Sequence, residues 1–73
     1  MTIHNIIRCY RYDLKITQTE LSRRTGISQR DISFWESGRG DPRISDCIRL
    51  ARGFGLSMEE FLGGLTLPGE ADE

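Results

Sequence analysis

Between Thr17 and Gly38 the chain is punctuated so tightly that little freedom is left in how it folds. Thr17-Gln18-Thr19-Glu20 has the form of a capping box, in which the threonine hydroxyl accepts from the amide three residues on while the glutamate reaches back. Ser28 with Asp31 repeats the cap, and Gly26 and Gly38 each stand where a helix would stop, since glycine takes a positive φ at little cost. The spacing predicts one helix from Gln18 to Thr25 and another from Ser28 to about Ser37, meeting at a single glycine. Helices of two turns are not stable alone in water, so the two must pack against each other and against the rest of the chain.

The inner positions of this pair are apolar, with Leu21, Ile27, Ile32 and Trp35, and the small Ser22 falls where the two helices would cross. A small side chain at the crossing, a left-handed residue at the corner and an apolar inner face are what a helix-turn-helix requires. Around it, Ile3, Ile6, Ile7, Tyr10 and Leu14 mark a first amphipathic helix over residues 2–13, with Thr2 as its expected cap. Ile44, Cys47, Ile48, Leu50, Ala51 and Phe54 mark a fourth, and the capping box Ser57-Met58-Glu59-Glu60 opens a short fifth carrying Phe61 and Leu62. No stretch alternates with strand period. The expectation is an all-α domain of five helices over residues 1–63, followed by a short acidic tail over residues 64–73 that frays.

A chain of 73 residues with 37% hydrophobic content supports one modest core. Cys9 and Cys47 make no disulfide framework and no metal-ligand pattern, and read as reduced thiols. No apolar run is long enough to cross a membrane and the N-terminus lacks signal-peptide character, so a cytoplasmic protein is expected. The formal net charge of -1 hides a strong asymmetry. Residues 1–58 carry all ten basic residues against six acids, a net +4, whereas residues 59–73 carry five acids and no base. A basic body with an acidic end can face a phosphate backbone. There is no nucleophile with a partner base, no His or Cys cluster and no phosphate-binding glycine loop, so neither catalysis nor a metal, cofactor or small-molecule ligand is expected.

In the residues Thr17-Gln18-Thr19-Glu20-Leu21-Ser22, Gly26-Ile27-Ser28-Gln29, Ile32-Ser33, Trp35-Glu36-Ser37-Gly38, Asp41-Pro42, Ile44, Leu50-Ala51, Phe54-Gly55-Leu56-Ser57 and Glu60-Phe61-Leu62, the chain resembles the Cro/repressor helix-turn-helix family, the phage lambda-repressor-like or XRE-type regulators. The resemblance covers roughly residues 5–63. It implies a lambda-repressor-like domain whose second and third helices form the motif, with the third in the major groove of double-stranded DNA. By position it assigns Gln29, Arg30, Ser33 and Phe34 to base reading, Phe34 against a thymine methyl, and Gln18, Ser28, Ser37, Arg39 and Arg43 to the phosphate backbone. A helix N-terminus, where Gln18 lies, independently suits an anion. The resemblance also pairs Arg11 with Glu36, holding the reading helix at its angle.

Three departures from the family pattern stand out. Ser22 replaces an alanine, Arg43 occupies a position where Ser or Thr usually caps, and Gly53 replaces a helix former at a cost of about 1 kcal/mol. One such domain reads only a few base pairs, so the resemblance leads to a transcriptional regulator, a repressor, acting as a dimer on a palindromic operator. Ile48, Leu62, Leu65 and Leu67 are apolar residues left over once the core is filled, and the dimer contact is placed there. The competing reading is an antitoxin or adaptor whose helix-turn-helix serves protein–protein contact.

Overall fold

In a computed structural model of the chain, described here for residues 2–63 and residue 65, five helices follow one another: α1 (Ile3–Asp13), α2 (Gln18–Thr25), α3 (Gln29–Glu36), α4 (Ile44–Phe54) and α5 (Met58–Leu62). The described residues contain no strand. α2 and α3 meet at Gly26, whose φ of 76° places it in the left-handed region; α3 packs on α1 and α2 packs on α4. The core is one cluster built from Ile6, Ile7, Leu21, Ile27, Ile32, Trp35, Cys47, Leu50, Ala51, Phe54 and Phe61. At its α5 end the rings of Tyr10, Phe54 and Phe61 lie with centroids 5.5 to 6.0 Å apart, and the Tyr10 hydroxyl donates to the Glu60 carbonyl.

The caps explain why such short helices hold. Thr17, Ser28 and Ser57 each accept from the amide three residues on, and Glu60 completes its box by accepting from the Ser57 amide at 2.9 Å. Glu20 does not complete the box at Thr17. It turns along the helix instead, to Arg23 at 2.9 Å and Arg24 at 3.2 Å, where i,i+3 and i,i+4 spacing brings opposite charges together. Thr2 makes no cap bond and its hydroxyl meets the His4 ring. Arg43 cannot accept a hydrogen bond, and Asp46 supplies the missing half by accepting from the Arg43 amide.

Two apolar residues expected on inner stripes lie outside. Leu14 sits beyond the last turn of α1 and is exposed, and Ile44 is 77% exposed, because α4 packs on α1, α2 and α5 while its first turn leads out of the loop from α3. Lys15 takes a φ of 58°, closing α1 with Lys15 and Ile16 amides on the Tyr12 and Arg11 carbonyls, the bonding of a Schellman motif without its usual glycine.

Gly53 is not a weak point of α4. A β-carbon there would lie 2.5 Å from Cγ2 of Thr25 and 3.8 Å from Cδ1 of Leu21. The glycine is the surface on which α4 meets α2, and the missing side chain is what leaves room for the Thr25 methyl against the α4 backbone.

Candidate nucleic-acid interface

α3 presents two unlike faces. Ile32, Trp35 and Glu36 point into the domain, while Gln29, Arg30, Ser33, Phe34 and Ser37 are exposed, as helical periodicity dictates for positions one turn apart. With Arg39 these five line a shallow cleft of about 460 Å³. A second depression of about 520 Å³ lies on the other side of Phe34, lined by Asp31, Trp35, Asp41, Arg43, Ser45, Asp46 and Arg49. Phe34 lines both and is therefore the wall between them, the residue being 45% exposed.

The angle between α2 and α3 is set by hydroxyls as well as by apolar packing. Ser22 donates to the Ile27 carbonyl across the corner. Thr25 donates to the Leu21 carbonyl at 2.8 Å and accepts from the Ile27 amide at 3.2 Å. Ser22 is thus more than a small residue at the crossing, a role its size alone did not announce.

Beneath the exposed face runs a chain of side chains that starts in α1. Arg11 Nε and Nη2 donate to Oε2 and Oε1 of Glu36 at 2.7 and 2.8 Å, a bidentate pair, and Nη1 donates to the Ile16 carbonyl at 3.0 Å. Glu36 is only 5% exposed, and its hydrogen bond with Arg11 holds the guanidinium above its ordinary range against the opposing effect of burial. Gln18 Nε2 donates to Glu36 Oε1 at 3.1 Å, and Gln29 Nε2 donates to Gln18 Oε1 at 2.9 Å. A carboxylate only accepts, so the Gln18 amide must turn its nitrogen to Glu36 and its oxygen to Gln29. The Gln29 nitrogen must then face Gln18, leaving one N–H and the whole of Oε1 directed away from the network. No buried side-chain polar atom among the described residues lacks a partner.

The structure gathers Gln29, Arg30, Ser33, Phe34, Ser37 and Arg39 into one cleft, puts Gln18 and Ser28 at the N-terminal ends of α2 and α3, and sets Arg43 across Phe34 in the second depression. Ser28 keeps its own hydrogen while accepting from Asp31, but the Ser37 hydroxyl donates to the Phe34 carbonyl at 2.8 Å and must break that bond to reach a phosphate. Among the described residues Arg30, Arg39 and Arg43 have no carboxylate at ion-pair distance, whereas Arg23 and Arg24 share Glu20. Ile48 is exposed, Leu62 and Leu65 are half-buried against the chain's own core, and Leu67 lies outside the described residues. No helix of the described residues is long and apolar enough to cross a membrane.

A five-helix domain with a capped helix pair meeting at a left-handed glycine is a lambda-repressor-like DNA-binding domain. The solution structure of the DNA-binding domain of the P22 C2 repressor has the same fold, with a TM-score of 0.80 and 30% identity over 88% of this chain and 84% of that one. The helix-turn-helix family model matches residues 7–61, and the chain belongs to this family, in its Cro/repressor (XRE) branch. Similar proteins include uncharacterized HTH-type transcriptional regulators of Methanocaldococcus jannaschii (30% identical, covering 77% of this chain and 85% of the relative), Archaeoglobus fulgidus (32%, 74% and 76%) and Methanothermobacter thermautotrophicus (36%, 73% and 77%). The protein is a transcriptional regulator with a helix-turn-helix DNA-binding domain.

Proposed function

We propose that the chain is a repressor that reads a palindromic operator as a dimer, with α3 in the major groove. The observation that carries this reading is the hydrogen-bond chain from Arg11 to Gln29. It fixes the polarity of an exposed amide at the start of α3, with an acceptor and a donor side by side facing outward. That is the complement of adenine, whose major-groove edge offers an N6 donor and an N7 acceptor. Arg30, one residue on and unpaired among the described residues, suits the O6 and N7 acceptors of guanine, each such contact being worth about 1–3 kcal/mol of discrimination. Ser33 adds a further donor or acceptor, and Phe34 an apolar surface for a thymine methyl.

Arg39, Arg43 and the spare hydrogens of Gln18 Nε2 and Ser28 flank this face and hold the phosphate backbone, which positions the domain without reading sequence. Ser37 contributes least, since its hydrogen is already used. Support for repression comes from the name of the structural relative, the P22 C2 repressor. A two-fold dimer sets half-sites about 34 Å apart, and Ile48, Leu62, Leu65 and Leu67 are the residues assigned to its contact. The test is electrophoretic retardation of DNA carrying an inverted repeat selected from a random duplex library at low salt. Wild type retards it as a two-protein complex, and Arg30→Ala abolishes retardation. A protein that enriches no sequence and instead copurifies in a fixed ratio with another chain overturns the reading.

A further inference from the structure

The loop that follows α3 is folded back under the ring of Phe34. The Phe34 carbonyl accepts from the Arg39 amide at 3.2 Å and from the Ser37 hydroxyl at 2.8 Å, which brings residue 40 beneath the side chain. A β-carbon on Gly40 would overlap Cε2 of that ring and lie 3.1 and 3.2 Å from Cδ2 and Cζ. The backbone does not itself demand glycine here, because Gly40 is not among the residues with positive φ. What demands it is the ring.

Resting on the base-reading role proposed above for α3, we infer that Gly40 is a specificity-determining residue of this protein although it touches no base. Its bare backbone forms the seat that holds the Phe34 ring down on the loop. In that seat the ring bounds the cleft of Gln29, Arg30 and Ser33 without filling it, and it offers a fixed apolar surface to the C5 methyl of a thymine. Phe34 has two side-chain torsions and solvent on its outer face, so any side chain at position 40 displaces the ring rather than the backbone. The displaced ring moves into the reading cleft or into the depression beside it. Both moves take the apolar surface away from the methyl while leaving Gln29 and Arg30, one turn back, where they are. A residue in a loop thereby sets which base is preferred at one position of the site.

The experiment is selection of sites from a random duplex library by the full-length wild type, Gly40→Ala, Phe34→Ala and the double variant. Affinities are then measured for the wild-type site with each thymine replaced in turn by uracil, which pairs identically but lacks the methyl. At one thymine, wild type loses about fourfold on this replacement, the worth of one buried methyl group. Gly40→Ala loses that discrimination, keeps its preferences at the neighbouring positions and keeps its thermal midpoint within about 3 °C, a shift below that of 1 kcal/mol for a domain of this size. In the Phe34→Ala background the second substitution changes nothing further. The inference is overturned if Gly40→Ala keeps full thymine-over-uracil discrimination, if no thymine is discriminated by wild type, or if Gly40→Ala has the same effect with and without the ring. A wild type that selects no site at all overturns the base-reading role and this inference with it, an outcome separate from the other three.

Discussion

Gly53 of α4 lies so close to Thr25 of α2 that a β-carbon would stand 2.5 Å from the threonine methyl. Helix propensity alone makes Gly→Ala in a helix favourable by about 1 kcal/mol, but the crossing reverses the sign. Gly53→Ala is expected to destabilise the domain by about 1–3 kcal/mol, the usual cost of overpacking. Thr25→Ser removes the methyl and keeps the hydroxyl that bonds Leu21 and Ile27. In that background Gly53→Ala should become neutral or stabilising, as read from urea unfolding of the four proteins.

The bidentate Arg11–Glu36 pair ties α1 to α3. Removing one partner leaves the other charge buried, so Glu36→Ala should cost about 3–5 kcal/mol. Glu36→Gln is the more informative change. It gives Gln18 a partner that can either donate or accept, so the polarity transmitted to Gln29 is no longer forced, and selected sites should lose preference at the base under Gln29 more than elsewhere. Arg11 itself is held above its ordinary value. A folded pKa raised in this way adds stability that is present below the unfolded value and lost only on passing the folded one. Mildly alkaline buffer should therefore leave its side of the pair intact.

Phosphate and base contacts should separate by salt and by sequence. Arg39→Ala and Arg43→Ala are expected to weaken all duplexes alike and to lower the slope of log K against log salt by about 1 each. Gln29→Ala should weaken the selected site by about 1–3 kcal/mol and leave that slope unchanged. Binding isotherms at four salt concentrations decide between the two patterns.

The two thiols should react at very different rates. Cys9 is exposed and Cys47 buried, with burial pushing the Cys47 thiol up and so reducing its reactive thiolate at neutral pH. A brief pulse of maleimide should label Cys9 alone in the native protein and both thiols in urea, as counted by mass. Native labelling of Cys47 on the same timescale would show that the α4 side of the core opens far below global unfolding.

The parts of this fold that were legible in the chain are the parts decided within one helical turn. Thr17, Ser28 and Ser57 cap because a hydroxyl reaches an amide three residues away whatever surrounds it, and Gly26 ends α2 because its conformation is local. Periodicity locates the inner stripes but not their ends, so it puts Leu14 and Ile44 inside although the packing stops short of them. Glu20 shows the same limit, since the arginines three and four residues on compete for its carboxylate and a box pattern does not weigh them. Arg11 and Glu36 lie 25 positions apart and were joined by family resemblance, not by spacing.

The order of short capped helices, the glycine corner and the polar outer edge of α3 were settled by the sequence itself, because each depends on neighbours along the chain. The bare crossing at Gly53, the seat under Phe34 at Gly40 and the amide polarity running from Glu36 through Gln18 to Gln29 were settled only by the tertiary structure. The first and the last are distances between groups on different helices, which exist only once the helices have packed, and the second depends on how the loop after α3 turns back under the ring.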